Sequence, residues 1–278
     1  MSKVAVVTGA GAGVGRATVE EFARRGYHVA LLSRDRARID RAVADLQASY
    51  DVRALGILTD VADADAVEAA ASHIDQELGS IEVWINVAGA TVFASVSELT
   101  AREFERGVKV TYRGQMHGTM AALARMRASN RGTIVNVGSA LGYWSVPLQS
   151  ICCGAKFAVR GFTDALRSKI IRDRLDVHLT MVDLPAITPP VRLGSERDGN
   201  KSAADWVGLP ARSGRPMNVA PKTTMIKPIV NARLRQGTYI ASGNCFLHAV
   251  CIQKPAENYE SADLFRIPMN GGTLKAFQ

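Results

Sequence analysis

No stretch of the 278 residues approaches the roughly 20 consecutive apolar positions that a bilayer-crossing helix needs. The first segment, Met1 to Thr8, runs into a glycine-rich turn instead of a small-residue cleavage site, so the sequence reads as cytoplasmic with no membrane partner. Cysteine is scarce. Of four in all, Cys152 and Cys153 are adjacent, and Cys245 and Cys251 lie near the end, without the paired spacing or flanking histidines of a zinc site. Neither a disulfide framework nor a metal is expected. Aromatic residues make up only 6% and are not interleaved with basic ones. The formal charge of +8 is spread over arginines on helical faces, which argues for a solvated surface and against a nucleic-acid partner.

What is abundant is alternation. With 47% hydrophobic residues the chain can bury a full core as a single domain. From Lys3 to about Pro190, short β-branched runs alternate with longer segments of helical period, the pattern of a parallel sheet with crossover helices. Strands are predicted at Val4 to Thr8, His28 to Ser33, Arg53 to Leu58, Val83 to Asn86, Thr133 to Gly138 and Val177 to Asp183. Thr100 with Glu103 forms a capping box opening one helix that runs to about Met126, and Asp63 caps a helix ending before Gly79. The fold class is therefore α/β: a Rossmann-like, doubly wound parallel sheet in three α/β/α layers, with the core in residues 1–190. Residues 191–221, rich in Gly, Pro, Ser and Arg, read as a substrate loop or lid. Residues 222–278 are poorly patterned, with a helix over Lys222 to Arg235 and a strand over Leu264 to Met269 as the candidate elements.

The first strand ends in Thr8-Gly9-Ala10-Gly11-Ala12-Gly13-Val14-Gly15-Arg16, and a helix starts inside the turn. Such a turn aims free backbone N–H groups and the positive helix end at one point, where a pyrophosphate binds if no side chain blocks it. The spacing is T-G-x-x-x-G-x-G. In this, Thr8, Gly9, Gly13 and Gly15 resemble the cofactor signature of the short-chain dehydrogenases/reductases. Further motifs arrive in that family's order: Asp60-Val61 after the third strand, Asn86-Val87-Ala88-Gly89 after the fourth, Ser139 after the fifth, and Lys156 seventeen residues beyond it. The resemblance implies hydride exchange between a nicotinamide dinucleotide and a small-molecule alcohol or carbonyl. It places Gly11, Val14, Asp60, Val61, Asn86, Ala88 and Gly89 at the cofactor, and Pro185-Ala186-Ile187-Thr188 along the nicotinamide carboxamide. At the end of the second strand an acidic residue would favour NAD; Ser33-Arg34 stands there instead and suits a 2′-phosphate, so NADP(H) is expected over NAD(H), with Asp35 the residue that argues otherwise.

The same resemblance implies a catalytic Asn-Ser-Tyr-Lys set in which tyrosine exchanges the proton, serine orients the substrate oxygen and lysine holds the ribose. Ser139 and Lys156 are in place. The tyrosine position, thirteen residues after Ser139 and four before Lys156, is Cys152, and the asparagine position is Thr111. A thiol near Lys156 is acidic enough to serve, its pKa being lowered by the ammonium, but Sγ lacks the reach of a phenol. A bridging water, or Tyr143 folding over, would fill the gap; otherwise Tyr143 walls the substrate pocket. Three functions stay open: an oxidoreductase impaired by loss of the tyrosine, a non-catalytic NADP(H)-binding sensor or assembly partner, and a cysteine nucleophile activated by Lys156. The helices over Thr100 to Met126 and Ser150 to Arg172 resemble those that join subunits in this family, which implies a homodimer or homotetramer. Ala155, Ala158, Val159 and Phe162 form an apolar stripe that fits either that interface or the core.

Overall fold

The computed structural model describes residues 3–184 and, as backbone, the strand at 237–240. The chain alternates strand and helix: β1 (Val4–Thr8), α1 (Gly13–Arg24), β2 (His28–Ser33), α2 (Arg36–Ser49), β3 (Ala54–Leu58), α3 (Ala64–Glu77), β4 (Ile81–Asn86) and α4 (Ala101–Val108). After a π turn (Lys109–Arg113) come α5 (Gly114–Ser129), β5 (Gly132–Ser139), a 3₁₀ turn (Ala140–Gly142), α6 (Ser150–Arg172), β6 (Val177–Leu184) and β7 (Gly237–Ile240). All strands pair in parallel, in the order β3-β2-β1-β4-β5-β6-β7.

Burial on both faces explains the apolar strands. Ala5 and Val7 pack with Val19 and Phe22 of α1 and Leu46 of α2. Val4 and Val6 turn the other way, toward Val67 and Ile74 of α3 and Met126 of α5. Successive side chains thus feed two separate cores, which requires a near-continuous hydrophobic run. Asp63 accepts from the backbone N–H groups of Asp65 and Ala66, and Thr100 with Glu103 closes a capping box, so both predicted helix starts hold. The sheet reverses its winding between β1 and β4, and a crevice opens at the carboxyl ends of these strands.

One expectation needs correction. The continuous helix over Thr100 to Met126 is broken by the π turn at Lys109–Arg113, which inserts an extra residue and rotates α5 relative to α4. Strand β7 is an element that the sequence pattern does not mark; the helix over Lys222 to Arg235 and the strand over Leu264 to Met269 lie outside the described residues.

Candidate active site

The crevice between β1 and β4 is a cleft of about 490 Å³. Its floor is the glycine turn. Gly9 has φ +69° and lies against Ala88: a Cβ built on it would fall 3.0 Å from the Ala88 Cα. At Gly15 a Cβ would fall 2.2 Å from the Gly9 carbonyl oxygen, so the turn closes only because both positions lack side chains. Helix α1 starts at Gly13 behind Ala12, with no side-chain cap and no acidic residue in its first turn. Its first N–H groups therefore offer an anion site. Gly9, Gly13, Val14 and Gly15 all line the cleft, as do Val61, Ala88 and Gly89 from the loops after β3 and β4.

Thr8 and Gly11 act one step back. Thr8, buried, accepts from the N–H groups of Val87 and Ala88 at 3.0 and 3.1 Å and so ties the turn to the loop after β4. Gly11 gives room to Ser33, whose Oγ would lie 3.0 Å from a Cβ there. Ser33 and Arg34 line the cleft at the end of β2. Asp35, beside them, is committed elsewhere: it accepts from the Arg38 N–H as N-cap of α2 and pairs with the Arg38 guanidinium at 3.1 Å. Asp60 lines the cleft but is held by Arg106 at 2.8 Å, a contact with no signal in the sequence. Burial acts to raise the Asp60 carboxyl; the Ala62 N–H and Arg106 outweigh it and hold the group below its ordinary value.

Asn86 and Thr111 do not line the cleft with the others. Asn86 is fully buried; its amide contacts Asn136 Oδ1 at 2.9 Å, Thr119 Oγ1 at 3.1 Å and the Gln115 carbonyl at 3.2 Å, and its Oδ1 accepts from Trp84 at 2.8 Å. Asn136 passes the network to Thr163 on α6. The carboxamide thus locks β4, α5 and β5 together, and breaking it would strand buried partners at about 1–3 kcal/mol each. Thr111, 2% exposed, bonds both the N–H and the carbonyl of Ala90 at 2.8 Å, while the π turn sets Val110 against the cleft in its place.

At the far end of the cleft Ser139, Cys152 and Lys156 come together. The 3₁₀ turn begins on Ser139, whose Oγ accepts from the Leu141 N–H at 3.2 Å. Lys156, one helical turn after Cys152, is buried and donates to the Val137 carbonyl at 2.6 Å. Burial depresses its ammonium, against the pull of Cys152 and Asp183. The Cys152 thiol runs opposite to expectation: burial pushes it up, and Lys156 only partly offsets this. Tyr143 does not fold over as a substitute acid. Its hydroxyl donates to Asp183 at 2.9 Å beneath the Arg160 guanidinium, which stacks 4.1 Å from the ring; burial and then Asp183 push the phenol well up. Asp183 escapes sequence reasoning, although an acid inside the apolar run Val177 to Leu184 is itself a signal. Pro185, Ala186, Ile187 and Thr188 lie outside the described residues. Among the described residues no cluster of His, Cys, Asp or Glu could hold a metal, and no helix is long and apolar enough to cross a membrane.

Residues 3–193 match the model of the short chain dehydrogenase family. The chain is 37% identical over 180 residues to a Mycobacterium tuberculosis protein named as an oxidoreductase, SadH, covering 65% of each chain. It therefore spans about two-thirds of that relative's length. A short-chain dehydrogenase/reductase from Burkholderia phymatum, in complex with NAD, superposes with TM-score 0.71 at 26% identity, over 86% of this chain and 89% of that one. L-sorbose reductase from Gluconobacter frateurii, complexed with NADPH and L-sorbose, gives 0.64 at 25% identity over 68% and 71%. Since the family model spans the whole run from β1 through β6, with the glycine turn, Ser139 and Lys156 inside it, the chain belongs to the short-chain dehydrogenase family.

Proposed function

We propose that this protein is an NADP(H)-dependent oxidoreductase that exchanges hydride with a small-molecule alcohol or carbonyl, slowed by the absence of the family's catalytic tyrosine. The observation that carries the reading is that Ser139, Cys152 and Lys156 line the same cleft as the glycine turn. The dinucleotide, when bound, supplies or accepts the hydride. The α1 N–H groups and the side-chain-free turn would hold its pyrophosphate, with Val61, Ala88 and Gly89 around the rest. Lys156 would hold the ribose hydroxyls. Ser139, its hydroxyl proton free because Oγ is an acceptor toward Leu141, would donate to the substrate oxygen and orient it. Cys152 occupies the place where a proton must be delivered, with a thiol that stays protonated at neutral pH and is short of reach. Residues 191–221, expected as the substrate loop or lid, lie outside the described residues.

The similar structures hold NAD in one case and NADPH in the other, so relatedness does not choose the cofactor. What favours NADP(H) is a hydroxyl and an exposed guanidinium at the β2 end of the cleft, with the Asp35 carboxylate drawn into the α2 cap. NADPH is expected to bind at least tenfold tighter than NADH at a fixed salt concentration, and Arg34→Glu to reverse the order; equal dissociation constants in the parent protein would remove the preference. One observation favours a second reading, in which the protein binds NADP(H) but performs no chemistry. Tyr143, the candidate replacement acid, is committed to Asp183. Turnover against a panel of ketones and alcohols, run beside an NADPH titration, separates the two.

A homodimer or homotetramer is also proposed. Of the apolar stripe on α6, Ala155 and Val159 are core and Ala158 and Phe162 are half-buried; outside the stripe, Phe157 is 43% exposed and Phe104 of α4 47%. Light scattering at micromolar concentration should give a multiple of 29.8 kDa, and Phe157→Glu should lower it; a monomer in the parent protein excludes the assembly.

A further inference from the structure

Asp183 is a carboxylic acid with no exposed surface, inside a strand that is otherwise apolar but for His178 and Thr180. It does not line the cleft. It pairs in register with Gly138, and a Cβ built on Gly138 would fall 1.9 Å from its Oδ1, so the carboxyl lies directly over the Gly138 backbone. The Lys156 ammonium sits on the carbonyl of the preceding residue, Val137, at 2.6 Å. Carboxyl and ammonium therefore flank one peptide unit. Neither meets an opposite charge in hydrogen-bond contact among the described residues: Lys156 donates to a neutral carbonyl, and Asp183 is met by the Tyr143 hydroxyl at Oδ2 and by the Ser139 backbone N–H, both neutral. A buried charge left in that condition is costly unless an opposite charge is close.

We propose that Asp183 is the counter-charge of Lys156, a positioning residue whose carboxylate keeps the ammonium charged and fit to hold the ribose hydroxyls. This rests on the proposed role of Lys156 at the cofactor ribose. The groups around the pair leave it that role. From α6, Arg160 stacks on Tyr143, lies 3.9 Å from Asp164, which Arg167 holds at 2.6 Å, and pulls on Asp183 less than Lys156 does; Cys152 faces Lys156 as a neutral thiol. Tyr143 contributes a neutral hydroxyl, β5 the Ser139 N–H, and β7 brings Ile240 alongside in register. Among the described residues around Asp183, Lys156 is then the cation without a carboxylate of its own. The electrostatics agree: burial pushes Asp183 up to about 6, with Tyr143 and then Lys156 opposing, while Asp183 in turn supports the Lys156 ammonium against burial. Above about pH 6 the Asp183 carboxyl is ionised and available to the ammonium.

Asp183→Asn separates charge from anchoring, since the amide oxygen can still accept from Tyr143. In protein carrying ¹³C-labelled lysine and no cofactor, the Lys156 Cε signal, assigned with Lys156→Arg, should titrate at a pH lower by about one unit or more in Asp183→Asn than in the parent. Asp164→Asn should leave that midpoint in place. An unchanged midpoint in Asp183→Asn, or an equal shift in Asp164→Asn, overturns the proposal. If Asp183→Asn does not fold, the stranded cation is the expected reason, and adding Lys156→Gln should restore folding; failure to do so also overturns it. NADPH affinity gives a second reading, its alkaline loss setting in at lower pH in Asp183→Asn. A lysine midpoint that moves in a protein binding no NADPH at any pH upholds the charge pair and defeats the cofactor reading instead.

Discussion

Cys152→Tyr is expected to raise carbonyl-reductase turnover by about 10²–10⁴-fold, the usual contribution of a well-placed general acid, while leaving NADPH affinity nearly unchanged. The asymmetry follows from when each group acts. A proton donor works in the transition state, whereas affinity resides in interactions present before and after it, which the proposed function assigns to the glycine turn, Arg34 and Lys156. The site has the features a phenol needs. Position 152 is half-buried on the cleft wall, not packed in the core, and Lys156 lies one turn further along the same helix, where its ammonium would lower the phenol pKa. The present thiol is shorter than a phenol and, through burial, less acidic than a free cysteine. A folded, NADPH-binding Cys152→Tyr protein with no gain on any of a broad carbonyl panel would defeat the impaired-enzyme reading and leave the cofactor-binding one.

The parts of this site that are legible in the sequence are those set by chain order. The glycine turn follows β1, Ser139 ends β5, and Cys152 and Lys156 lie four apart on one face of α6, so their convergence needs only the parallel alternation to be right. The illegible parts depend on three-dimensional fit. Asn86 reads as a cleft residue until Gly118 is seen to leave space for its carboxamide: a Cβ there would fall 2.2 Å from Asn86 Oδ1. The π turn has no sequence signature, since Lys109–Arg113 contains neither glycine nor proline. Strand β7 is four residues long and comes after a stretch without period, so Thr-Tyr-Ile alone is too little to mark it. The direction of the Cys152 shift eludes the sequence for a related reason, because nearness to Lys156 can be read from spacing and burial cannot.

Gly15→Ala is the other substitution expected to have a large effect, through geometry alone. Its Cβ would stand 2.2 Å from the Gly9 oxygen, 2.7 Å from the Gly9 carbonyl carbon and 3.1 Å from the Ala10 Cα, all backbone atoms that no rotamer can move aside. The turn has to open, and with it go the hydrogen bonds from Gly9 and Ala10 to the Leu32 carbonyl, at 2.8 and 3.3 Å, that hold it against β2. Overpacking of this kind costs about 1–3 kcal/mol of stability. Losing two charge-assisted N–H contacts to a pyrophosphate adds about 3 kcal/mol in binding, or roughly a hundredfold in affinity. Gly13→Ala separates steric from conformational causes. Gly13 has φ +56° but nothing within 4 Å of a built Cβ, so alanine there meets only the left-handed backbone penalty, about 1–2 kcal/mol, with the turn still closed. NADPH titrations should therefore rank the parent above Gly13→Ala and Gly13→Ala far above Gly15→Ala, with the parent's melting temperature lowered most by Gly15→Ala. A folded Gly15→Ala protein that binds NADPH within twofold of the parent would show that the pyrophosphate is not held by this turn.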